Sequence, residues 1–236
     1  ITKMTKYSFI LLTGEKEGFL EQLQELGVVD ISRSVKPVDQ DSSEMFAKVT
    51  RARKALEYLE GINFSKDADA EAIAKATVTV EGDPVDFIEQ CRTKLSELNT
   101  SLANAEKQMK VRLPWGDYDK KAIDGLAELG YTVRYYCVDI KKYDSVWSEL
   151  QPLKVINNDG DKVWFVTVAP KSEEYIFPVQ EVAAPEGTYA EAAAEAAQIK
   201  AEIIGCKAGL LNAKDYIPAI KEACNKELVD LDRYLA

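Results

Sequence analysis

The 236-residue chain contains no histidine. The commonest general base near neutral pH and the commonest transition-metal ligand are therefore both missing, and enzyme readings start at a disadvantage. The four cysteines, Cys91, Cys137, Cys206 and Cys224, have no C-x-x-C spacing. They read as reduced, buried small hydrophobes of a cytosolic protein, not as a zinc, redox or thiol-protease site. No apolar run approaches the roughly 18 residues of a membrane-spanning helix. The stretch YSFILL (7–12) is too short for a signal peptide and too soon followed by Gly14, Glu15 and Lys16, so a soluble chain is expected.

Positive charge is also in short supply. Thirty Lys and Arg stand against 40 Asp and Glu, a formal charge of −10, so the average field repels phosphate backbones and acidic lipid, and nucleic acid is not an expected partner. Neither G-x-x-x-x-G-K-[ST] nor G-x-G-x-x-G occurs, and TGEKEG (13–18) has neither the spacing nor the lysine of a phosphate loop. The acidic pairs Asp117/Asp119 and Asp159/Asp161 lie where Asp is expected as cap or turn chemistry, with no third ligand in view. No catalytic, cofactor-binding or metal-binding residue is assigned.

Helical periodicity and alternating strands are present in quantity, in the ordinary globular balance of 46% hydrophobic and 30% charged residues. The opening segment reads strand, helix, strand. Residues 7–12 supply the first strand, Thr13 a cap, and Phe19, Leu20, Leu23 and Leu26 one apolar face that Gly27 closes; 28–31 form the second strand. Two such strands are not stable alone, so this lobe needs others to complete it.

Three stripes with steps of three and four come next. After the cap candidates Asp41, Ser42 and Ser43 come Met45, Val49, Ala52, Leu56 and Leu59. From Pro84 come Ile88, Cys91, Leu95, Leu98, Leu102, Ala105 and Met109. From Tyr189 come Ala192, Ala196, Ile199, Ile203, Cys206, Leu210, Ala213, Ile217, Ile220 and Cys224. One stripe is most simply a buried helix face; three in one chain point to a long helical hairpin or bundle. Pro218 should kink the third helix without ending it, since the stripe resumes at Leu228, Leu231 and Leu235. Between the first two stripes, 61–82 is a polar, Ala-rich connection in which TVTV (77–80) reads either as loop or as a short strand.

Between the second and third stripes lies an alternating unit. A helix over 119–130 is capped by Asp119 and closed by Gly130, and YTVRYYCVD (131–139) is a strand. Asp139 caps a helix that Pro152 stops, and 153–170 form a hairpin turning at Asn158-Asp159-Gly160. A helical turn near 172–175 and a strand near 179–183 complete the order strand, helix, strand, strand, helix, strand, which is ferredoxin-like. Aromatics are concentrated here, beyond what alternate inward positions need. Most are expected in the core, with Tyr136, Trp147, Trp164 and Tyr175 as candidate partner-binding anchors.

LPWGDYD (113–119) joins the second stripe to this unit. Pro114 stops the helix, Gly116 bends the chain, Asp117 or Asp119 caps the next helix, and Trp115 plugs the junction between rod and globule. The chain thus divides into a first α/β lobe over 1–40, incomplete in these residues, an outgoing shaft over 41–112, a second ferredoxin-like lobe over 113–185 and a returning shaft over 186–236. The fold class is α+β: two small α/β lobes joined by a long antiparallel helical hairpin or coiled-coil bundle, a dumbbell. KELVDLDRYLA carries the last stripe to the final residue without a cap, as expected of a piece of a longer protein.

Two motifs in this order resemble a known family. A K-M-x-K strand followed by an acidic short helix and L-x-E-L-G-V-V-D-I (23–31), and then P-W-G-D-Y-D after a long heptad helix, look like the cytosolic half of subunit I, or subunit a, of V-type and archaeal-type rotary ATPases. The similarity covers essentially the whole chain. It implies a non-catalytic stator arm on the cytoplasmic face of the membrane, whose lobes hold the heterodimeric peripheral stalks against rotor torque, in support of ATP-coupled ion transport. The family's ion pathway lies in a C-terminal membrane half absent from these residues. Self-association through the incomplete first lobe is expected. From another class, a ligand-sensing regulatory module built on the ferredoxin-like lobe is the alternative, on fold analogy alone.

Overall fold

The computed structural model describes residues 9–27, 37, 39–173 and 177–235. The chain is α+β: long helices and a four-stranded antiparallel sheet. It divides into two compact units, one formed by Ile1–Arg92 with Lys207–Ala236 and the other by Thr93–Cys206.

In the first unit, residues 9–12 form no strand. Ile10 is fully exposed (101%), and the rings of Phe9 and Phe19 lie 5.1 Å apart. The expected second strand at 28–31 lies outside the described residues. Helix α1 (Lys16–Leu26) begins not at a Thr13 cap but after a 3₁₀ turn, Thr13–Glu15, with Glu15 as an N-cap that makes no side-chain bond. Gly27 ends it in the left-handed region at φ 65°, as its position after the last apolar residue predicts.

Helix α2 (Gln40–Gly61) starts earlier than Asp41, Ser42 or Ser43 would have it. Asp39 is the N-cap, and its carboxylate and Ser42 form a reciprocal capping box. Ser42 therefore faces inward, fully buried, at the head of the stripe whose Val49 and Leu59 are also buried. The connection after α2 contains one short helix, α3 (Ala70–Lys75), whose Ile73 is buried. TVTV is irregular, and the Val78 carbonyl accepts from Asn212 Nδ2 at 2.7 Å.

Helix α4 (Pro84–Arg112) and helix α7 (Tyr189–Ala213) each contribute to both units. Their stripes are the buried faces: Ile88, Leu95 and Ala105 on α4, and Ala192, Ala196, Ile203, Leu210 and Ala213 on α7. Pro218 does interrupt the third helix. The chain passes through a 3₁₀ turn, Lys214–Tyr216, before α8 (Ile217–Leu235). Proline lacks an N–H and crowds the carbonyl four residues back, which here is Lys214, so the preceding turn tightens. Backbone angles at Ala213 and Ile217 stay helical, and the stripe continues through Ile220, Cys224 and Leu231.

Exposed ion pairs flank these seams. In the first unit Arg51 reaches Asp86 (2.6 Å) and Glu89 (2.5 Å), and Lys221 reaches Glu60; in the second Lys94 meets Glu202 and Lys200 meets Glu106. Exposed pairs contribute little each, so the apolar stripes carry the packing and the pairs fix register.

The second unit holds helix α5 (Lys120–Glu128), then β1 (Tyr131–Asp139), α6 (Trp147–Leu150), β2 (Leu153–Asn158), β3 (Lys162–Pro170) and β4 (Glu181–Val182). The sheet order is β2-β3-β1-β4 and every neighbouring pair is antiparallel. The segment after β1 is less helical than its periodicity predicts. Ile140–Lys142 is a 3₁₀ turn, and α6 has only four residues. Asp139 makes no cap bond, while the Asp144 carboxylate accepts from the Val146 N–H. The reason is competition: Tyr143 and Trp147 must both reach the sheet, where they pack against Tyr136, Val138, Val163 and Phe165.

Candidate functional site

The joint is built from backbone upward. Helix α4 ends at Arg112, whose carbonyl accepts from Trp115 N–H (2.9 Å) and Gly116 N–H (3.1 Å). Gly116 then takes φ 65°, a conformation that excludes most side chains. Its carbonyl accepts from the Tyr189 N–H at 3.2 Å, and the next residue, Asp117, accepts the Ala190 N–H at 2.7 Å. Thr188 and Glu191 close a capping box around the same helix start, with Thr188 N–H to Glu191 Oε2 at 2.8 Å and Glu191 N–H to Thr188 Oγ1 at 3.2 Å.

Asp119 caps α5, accepting from Lys121 N–H at 2.9 Å. Tyr118 donates to the Pro185 carbonyl at 3.0 Å, and Trp115 meets Tyr135 edge-on with centroids 5.4 Å apart. Seven residues thus end one helix, cap a second and anchor the start of a third. Pro114, half-buried, stands just after the end of α4. Burial pushes the Tyr135 phenol up from its ordinary value.

The candidate anchors fall in different places. Tyr136 is 2% exposed and stacks on Phe165, with ring centroids 5.1 Å apart. Trp147 is half-buried in the same aromatic cluster, edge-on to Phe177 at 5.0 Å. Trp164 pairs with Cys137 in the β1–β3 register, one residue out of step with Tyr136↔Phe165, so it stands on the opposite face of the sheet. There it is half-buried together with Val133, Tyr135, Val166 and Val168. Tyr175 lies outside the described residues. Of the described three, then, Trp164 alone stands away from the aromatic core, on the half-buried face that Trp115 also touches.

The acidic pairs are occupied as local structure. Asp159 accepts from Asp161 N–H (2.9 Å) and Lys162 N–H (2.7 Å) at the hairpin turn, where Gly160 has φ 95°. These backbone donors hold its carboxyl below the usual range. Among the described residues no group of three or more Cys, Asp or Glu is placed to hold a metal ion, and no helix is long and apolar enough to cross a membrane. None of the four cysteines is in a disulfide; Cys224 is buried and the others half-buried, and burial pushes the Cys137 and Cys206 thiols up.

A groove of about 600 Å³ runs along the C-terminal half of β1, between Cys137, Val138 and Asp139 and the segment that leads into β4. Sequence reasoning missed it. The one available signal was the scarcity of strand-forming residues around Pro178 and Gln180, which shortens β4.

No protein-family model matches the chain, and neither does any curated protein or solved structure.

Proposed function

We propose that the chain is the cytosolic stator portion of subunit I (subunit a) of a rotary ATPase, a non-catalytic arm that binds the heterodimeric peripheral stalks. The observation that carries the reading is the joint. Its P-W-G-D-Y-D residues follow a 29-residue helix, the place the family motif implies, and there cap α5 and anchor the start of α7. The long buried stripes of α4 and α7 support a stiff shaft. The strand order β2-β3-β1-β4 with antiparallel neighbours supports assigning the sheet as the ferredoxin-like second lobe. On this reading the protein works at the cytoplasmic face as part of a longer subunit, and two attachment points give the stalks a combined avidity above either alone.

Calorimetry between this chain and the peripheral-stalk heterodimer of the same organism tests the proposal. The expected result is saturable binding that disappears when 119–184 is deleted, together with small-angle scattering of an elongated, two-lobed particle. A compact sphere in solution, or no binding at high micromolar concentration, overturns it.

A further inference from the structure

Two strands bound the sheet, β2 and β4. β4 has two residues, whereas β2 has six and pairs only with β3 among the described residues. The other side of β2 is an open edge, the part of a sheet that can receive a further strand.

Alternation decides which backbone groups lie on that open side. The Val168 N–H donates to the Pro152 carbonyl at 3.1 Å, so Pro152 stands at a hydrogen-bonded position opposite Val168. Two residues on, Lys154 faces Val166 in the same way, and Leu153 and Val155, opposite Thr167 and Phe165, are the non-bonded positions between and beyond them. The N–H and C=O groups of Leu153 and Val155 therefore point away from β3, and no other partner reaches them among the described residues. After Val155 the register slips before Asn157, so the regular edge runs from Leu153 to Val155.

The two faces beside this edge differ. Leu153 and Val155 share the face of Phe165, on which α6 packs through Trp147. α6 runs into β2 on this side, and Val146, Leu150 and Val155 keep 46%, 71% and 37% of their surface exposed. Lys154 stands on the opposite face beside Val166, exposed and without an ion pair among the described residues. Asp144 and Glu149 belong to the α6 segment, on the face away from Lys154.

These features select the occupant. A second copy of this edge, paired antiparallel about its centre, sets Lys154 against Lys154, and like charges directly opposite are destabilising. A strand with one acidic residue between two apolar ones instead sets its acid against Lys154. Its apolar side chains then fall on the other face, beside Val155 and Leu150.

We propose that the outer edge of β2 is a strand-addition site for an extended segment of the pattern apolar-acidic-apolar. Backbone hydrogen bonds to Leu153 and Val155 hold it antiparallel to β2, with its acidic residue opposite Lys154. This site is independent of the stator assignment.

The test is a ¹⁵N-resolved titration of the full chain with acetyl-Thr-Val-Asp-Val-Thr-amide beside acetyl-Thr-Val-Lys-Val-Thr-amide. The expected result is saturable shifts of the Leu153 and Val155 amides. The Asp peptide should bind about fivefold tighter, as exchanging a favourable for an unfavourable cross-strand charge pair implies. Lys154→Glu, an exposed change, should invert the preference. Val155→Pro removes an outward N–H that β3 does not use, so it should abolish the shift at Leu153 while the Val166 and Val168 amides stay protected from exchange; if they do not, Lys154→Glu decides alone. Absence of shifts at the Leu153 and Val155 amides at millimolar peptide overturns the proposal. So do equal affinities of the two peptides, or a preference that Lys154→Glu does not invert.

Discussion

Tyr234, near the end of α8, donates its phenolic hydroxyl to the carboxylate of Asp39, the N-cap of α2, at 2.5 Å. The same carboxylate accepts from the Ser42 hydroxyl at 2.6 Å and the Ser42 N–H at 2.9 Å, and Arg233 beside Tyr234 donates to Gln24 of α1 at 2.9 Å. The hydrogen bonds of Ser42, with a smaller contribution from Tyr234, hold the Asp39 carboxyl below the usual carboxylate range. The bond to Asp39 pushes the Tyr234 phenol up to about 12.

The pH dependence of this contact has a defined sign. Tyrosine loses its proton near pH 10 when unfolded and here near 12. The stabilisation is therefore fully present from about pH 5 to about pH 10, lost as pH rises through about 12, and lost in acid as Asp39 protonates. Urea unfolding of the wild type and Tyr234→Phe should differ by a constant amount from about pH 5 to about pH 10, with the difference closing above that range. A difference that does not change up to pH 12 would remove the contact from the account.

Asp117→Ala should destabilise the second unit by about 1 kcal/mol, the usual effect of losing a side chain that caps a helix start. Gly116→Ala adds the left-handed strain of an L-residue at φ 65°, about 1–2 kcal/mol. Chemical denaturation reads both, and Asp117→Asn should retain most of the lost stability because an amide oxygen still accepts.

Gly209 sits in α7, where an added Cβ would lie 3.0 Å from Phe87 Cζ and 3.2 Å from Val78 Cγ1. Gly209→Val overpacks this seam and should cost about 1–3 kcal/mol. Gly209→Val combined with Phe87→Leu should recover part of the loss if the contact with the ring causes it. Thermal unfolding of both variants beside Phe87→Leu alone separates this from an effect on helix propensity.

The two faces of the sheet should respond differently. Phe165 is fully buried beneath Tyr136 and Trp147, and Phe165→Ala should cost about 3–5 kcal/mol. Trp164→Ala on the half-buried face should cost clearly less. Under the proposed function it should weaken peripheral-stalk binding measurably while leaving the unfolding midpoint within a few degrees.

The sequence by itself determined the features that short-range periodicity carries: the three helical stripes, the extent of β1, the hairpin turning at Gly160, and the cap at Asp119. Each rests on a local rule that needs no neighbour, whether three-and-four spacing, alternation, or a residue that tolerates positive φ. The tertiary structure decided the features that depend on a partner element. Asp39 rather than Asp41 caps α2 because Ser42 is drawn into the core. The helix expected after Asp139 shrinks to a 3₁₀ turn and four residues because Tyr143 and Trp147 are claimed by the sheet. β2 slips its register between Val155 and Asn157, and β4 keeps only two residues, which opens the groove. The face on which Trp164 stands, away from Tyr136, also waited on strand pairing. A side chain's parity within its own strand is written in the sequence, but which parity is covered is set by the elements that the rest of the chain lays against it.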